Sequence, residues 1–170
     1  MREISPRREC WDGTVQMPVV FDDGGRAESG YKGFAGDCVC RSIAIAAELP
    51  YQQVYDDLNQ SAKTSKAKAA KRSRSRTGVN RKIYDAYLAN LGFTWTPTMQ
   101  IGSGCKVHLV EGELPLGRII ARLSKHLVAV IDGVIHDTYD PQRATIHYDG
   151  DNQRIAHRCV YGYWSKHIRS

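Results

Sequence analysis

Two things are scarce in this sequence: apolar runs, and acid in one stretch of the chain. No apolar run approaches the ~18 residues that a membrane-spanning helix requires, so the sequence predicts no membrane partner. Between Ser61 and Lys82 there is neither Asp nor Glu, while Lys63, Lys66, Lys68, Lys71, Arg72, Arg74, Arg76, Arg81 and Lys82 place nine of the 24 basic residues there. The remainder holds 15 basic residues against 18 acidic ones, a formal charge of −3, so the net charge of +6 describes a basic insert and not a basic fold. Cysteine is present in an odd number, five. Met1 to Arg8 is polar and broken by Pro6, where a secretory leader would carry an apolar h-region. Together these predict a cytoplasmic protein with free thiols. A chain of 170 residues buries roughly two-thirds of its unfolded surface, so one domain over 1–170 needs neither disulfide nor metal.

Asp37 stands where a helix N-cap belongs, and Val39, Ile43, Ala46 and Ala47 repeat with helical period up to Pro50. Tyr51, Val54, Tyr55 and Leu58 share one face of a second short helix, and Ile83, Tyr87 and Leu91 mark a third, stopped by Gly92. The segment at about 61–78 has no large apolar residue to anchor it and is predicted to be mobile. Thr14 to Phe21 reads as one edge strand, with Pro18 confining it there, and Phe93 to Thr96 as another strand. From Gly117 the period becomes that of strands: Arg118 to Leu123, His126 to Ile131, an Asp132-Gly133 turn, Val134 to Tyr139, and a last strand in Arg158 to Trp164 after a polar loop. Helices first and an antiparallel sheet afterwards define an α+β fold.

Cys38 is the first residue after the N-cap, where the helix dipole and unpaired amides favour a thiolate and can also hold an oxyanion. Cys40 lies ~200° around the helix from it and reads as structural. Of six histidines, His126 opens the apolar strand Leu127-Val128-Ala129-Val130-Ile131 and is held by a rigid element. A two-residue Asp132-Gly133 loop pairs Ile131 with Val134 and Val128 with Asp137. Asp137 therefore becomes a diagonal, same-face neighbour of His126. A carboxylate there fixes the imidazole tautomer. Asp140, before Pro141, is a turn residue and the substitute acid should a bulge shift the register.

The strings Gly36-Asp37-Cys38-Val39-Cys40-Arg41-Ser42-Ile43-Ala44 and Ser124-Lys125-His126-Leu127-Val128-Ala129-Val130-Ile131-Asp132-Gly133-Val134-Ile135-His136-Asp137-Thr138 resemble the papain-like cysteine peptidase superfamily, in particular its compact bacterial and bacteriophage members. The resemblance spans about Gly36 to Pro141. It implies a papain-like fold, N-terminal helices packed on a C-terminal antiparallel sheet whose edge supplies His126 and Asp137. It implies Cys38 as nucleophile, His126 as general base and acid, Asp137 as orienting acid, a protein or peptide substrate, and no cofactor. Such enzymes usually complete the oxyanion hole with a Gln or Asn shortly before the nucleophile. Tyr31 to Gly36 contains neither, and Gln16 is the nearest upstream amide.

Other chemistries fit less well. Cys38-x-Cys40, Cys105-x-x-His108 and Cys159 lack the paired knuckles of zinc sites. Gly102-Ser103-Gly104 lacks the Gly-Lys-Ser/Thr of a phosphate loop. A different class of function, a catalytically inactive binding module, would use Lys68, Lys71, Arg72, Arg74 and Arg76 to contact nucleic acid or an acidic protein. With no aromatic residue between Gln60 and Tyr84 to stack on bases, any nucleic-acid contact would be nonspecific.

Overall fold

The computed structural model describes residues 3–166. One of the six histidines, His167, lies outside them. The elements run β1 (Val19–Phe21), α1 (Cys38–Ala47), α2 (Tyr51–Thr64), α3 (Lys68–Lys71), α4 (Arg81–Asn90), β2 (Thr94–Pro97), β3 (Arg118–Leu123), β4 (His126–Ile131), β5 (Val134–Asp137), β6 (Ala144–Asp149), β7 (Asn152–His157) and β8 (Gly162–Ser165). Six strands form a mostly antiparallel sheet in the order β1-β5-β4-β3-β8-β2, with β1 and β5 parallel, and β6 and β7 form a separate hairpin. This is an α+β arrangement.

Alternation along β3 and β4 buries both faces of the sheet. Ile120, Leu127, Ala129 and Trp164 face α1, α2 and α4, where they pack with Cys40, Ile43, Val54, Leu58 and Leu88. Ile119, Ala121, Leu123, Val128, Val130 and Ile135 face the other way, against Met17, Leu109 and Val160 from the connecting segments. The β4–β5 turn has Asp132 at φ 48° and Gly133 at φ 80°, the two left-handed residues of a type I′ hairpin. Its register, Ile131 opposite Val134 and Ala129 opposite His136, is the one the dipeptide predicts.

Several expectations are corrected. His126 and Asp137 come from interior strands and not from the sheet edge, because β1 adds outside β5 and takes the edge. In the basic segment the buried residues are small ones. α2 runs on to Thr64 with Ala62 buried, Ala70 is buried on α3, and the Ser75 hydroxyl donates to Tyr55 O while its amide donates to Asn59 Oδ1. The loop before the last strand contains the β6–β7 hairpin. Cys105 and Cys159 form a disulfide and are not free. They meet because His108 bridges the strand-like backbone at Cys159, a pairing across 54 residues that no local spacing foretells. Among the described residues, no helix is long and apolar enough to cross a membrane.

Gly162 supplies a sharp test of the packing. A Cβ built there would lie 2.3 Å from the Trp95 ring and 2.7 Å from Thr96 O. The Trp95 ring is fixed by Trp164, with centroids 4.4 Å apart, and by Arg81 above it. Gly162→Ala is therefore expected to cost ~2 kcal/mol or more, the scale of core overpacking, as read by the urea midpoint. An unchanged midpoint would contradict this placement of β2 on β8.

Candidate active site

His126 and Asp137 are hydrogen-bonded, and Cys38 stands beside the ring at the same cleft. His126 Nε2 lies 2.6 Å from Asp137 Oδ2, both residues being buried, so Nε2–H donates to the carboxylate and Nδ1 is left for Cys38. Cys38 and His126 line the same cleft, close enough for each to shift the other's proton affinity. The second Asp137 oxygen accepts from the Thr138 amide at 2.7 Å and faces Arg41 Nη2 at 3.5 Å.

The strand geometry explains how a thiol at a helix start meets a sheet residue. In the β4–β5 ladder, Ile131 and Ala129 occupy hydrogen-bonding positions, and alternation points the Leu127 amide toward β5 as well. Pairing with β5 stops at Ala129, and the Leu127 amide helps lower the proton affinity of the Cys38 thiol.

Burial pushes the Cys38 thiol up. The hydrogen bonds from His126 and Leu127 and the charges of His126 and Arg41 outweigh it, leaving the thiol below its ordinary value of 9.0. Burial pulls His126 down, but hydrogen bonds to Asp137 and Cys38 and their negative charges raise it from 6.5 to about 9. A lowered thiol beside a raised imidazole favours passage of the proton from Cys38 to His126. Cys40, by contrast, is fully buried, and burial drives its thiol up.

Asp37 does not cap α1 with its side chain. Its buried carboxylate instead receives Tyr51 Oη at 2.6 Å and ion-pairs with Arg26 Nε at 3.1 Å and Arg41 Nη1 at 3.2 Å. The amides of the first turn of α1 are thereby left without a side-chain acceptor, facing a cleft of about 900 Å³. Arg26 also donates through Nη2 to Lys32 O and Gly33 O, and Arg76 Nη2 to Lys32 O. Two arginines thus pin the loop that carries Phe34, a cleft residue 96% exposed.

The remaining expected residues fall elsewhere. Gln16 is absent from the Cys38 cleft and lines a separate cavity of about 470 Å³, so it is not placed to bind an oxyanion. Among the described residues, no Asn or Gln lines the cleft. Asp140 is a turn residue whose Oδ1 accepts from the Gln142 amide and side chain, and it makes no bond to His126. Of the basic residues, Lys68, Lys71 and Arg72 are exposed, and Arg74 donates to Lys71 O and Ser73 O. Arg76, Thr77 and Gly78 bring the end of this segment to the cleft rim. Sequence reasoning missed Arg41, although its i,i+4 spacing from Asp37 is a recognisable acid–base signal. Arg26, eleven residues before Asp37, carries no such signal.

Among the described residues, no group of His, Cys, Asp and Glu side chains could hold a metal. The chain matches no protein-family model, no curated protein and no solved structure.

Proposed function

We propose that this protein is a papain-like thiol hydrolase that cleaves a peptide or isopeptide bond through a thioester on Cys38. The observation that carries this reading is the buried His126–Asp137 hydrogen bond beside Cys38, with the thiol lowered and the imidazole raised, opening onto a cleft. The Cys38 thiolate attacks the carbonyl carbon, and the amides of the first turn of α1 receive the oxyanion. His126 gives its Nδ1 proton to the leaving nitrogen as the C–N bond breaks. Water then attacks the thioester, His126 takes the proton, the acid departs, and the thiolate–imidazolium pair is restored. Asp137 orients the ring throughout.

The wild-type protein and Cys38→Ala would each be incubated with a mixed-protein digest, and new amino termini would be mapped by mass spectrometry. New termini are expected with the wild type only. Termini that appear equally with both proteins would overturn the proposal.

A further inference from the structure

Behind His126 lies a second cavity, of about 430 Å³, lined by Ser124, Lys125, Tyr139, Asp140, Arg143 and Arg158 together with His126 itself. It shares Ser124, Lys125, His126 and Tyr139 with the main cleft but not Cys38, so it opens on the histidine side of the nucleophile. Three cations surround it. Among the described residues, no carboxylate lies within ion-pair distance of Lys125, Arg143 or Arg158. The lone acid in the wall, Asp140, is occupied by Gln142. Arg158 is held from behind, through Nη2 to Ser124 O at 2.9 Å and Nη1 to Pro141 O at 3.3 Å. Burial and the charge of Arg143 both disfavour its protonated form. Three cations against one carboxylate leave the wall net positive, the makings of an anion site.

We infer that this cavity binds a carboxylate on the leaving-group side of the substrate, so the enzyme prefers a bond followed by either an acidic side chain or a free C-terminal carboxylate. The side follows from the chemistry, because His126 protonates the departing nitrogen and that half of the substrate must lie beside it. The inference rests on the thiol-hydrolase reading, and its test separates the two.

The test uses alkylating probes that need no known substrate, with modification of Cys38 followed by mass spectrometry. N-iodoacetyl-alanine is compared with N-iodoacetyl-alaninamide, placing a terminal carboxylate. N-iodoacetyl-glutamate α-amide is compared with its glutamine counterpart, placing a side-chain carboxylate. In at least one pair the acid-to-amide rate ratio at Cys38 is expected to exceed that of a small free thiol about tenfold, the scale of one charge-assisted contact. The pair that shows it identifies the source. Lys125→Ala combined with Arg143→Ala should return the ratio toward the free-thiol value; Arg158 is left intact because it braces the wall. Ratios equal to the free thiol in both pairs, or a raised ratio that survives the double substitution, would overturn the anion site and leave the thiolate standing. Amide probes that react no faster than with the free thiol would remove the thiolate reading and this inference with it.

Discussion

His126→Ala should slow alkylation of Cys38 by iodoacetamide at pH 6 to 7 by ~10-fold or more, since each unit of thiol pKa changes the thiolate fraction tenfold. Burial is the largest influence on this thiol and opposes ionisation, and His126 supplies the leading hydrogen bond and charge that reverse it. Deleting the ring leaves the Leu127 amide and Arg41 against the burial. The free, partly exposed Cys10 would be replaced by Ser so that Cys38 is the reactive thiol, Cys40 being buried. At high pH, where any thiol is ionised, wild type and variant should converge, which separates an acidity effect from misfolding. Equal rates at neutral pH would mean that His126 does not ionise the thiol.

Asp37→Ala should cost about 3–5 kcal/mol of unfolding free energy, the scale expected when one partner of a buried ion pair is removed. The Asp37 side chain is wholly inaccessible, and Arg26 and Arg41 are only 15% and 11% exposed. The substitution strands both guanidiniums and the Tyr51 hydroxyl together. It also leaves Arg41 with Asp137 as its remaining carboxylate. Denaturant unfolding measures the effect. A loss below about 1 kcal/mol would place these charges in contact with water.

The core of the site was legible because it rests on short-range rules. A type I′ dipeptide sets the register, the register puts Asp137 beside His126, and a helix start puts Cys38 at a dipole end. Features that depend on distant parts of the chain were not legible. Arg26 and Tyr51 reach Asp37 through tertiary packing, and a carboxylate that would suit a cap is recruited by them instead. The β6–β7 hairpin has its own Asp149-Gly150 dipeptide, but β6 is exposed along its whole length and has no apolar face to set a period. The basic segment read as unanchored because Ala62, Ala70, Ser73 and Ser75 are small, and small residues bury without a hydropathy signal. Tyr31 to Gly36 offers no Asn or Gln as an oxyanion amide. What distant chain offered as its replacement, Gln16, sits on the other side of the Asp137–Tyr139 segment, in its own cavity.

The central claim is that Cys38 is a thiolate held by an imidazolium. The most direct measurement is the pH titration of thiolate ultraviolet absorbance in the Cys10→Ser protein, with Cys38→Ala as the blank. The account predicts a thiolate signal that develops below the ordinary thiol value of 9.0 and a ring proton that leaves His126 only near pH 9. A signal that appears only at or above 9.0 would show a neutral thiol beside a neutral imidazole and would contradict it.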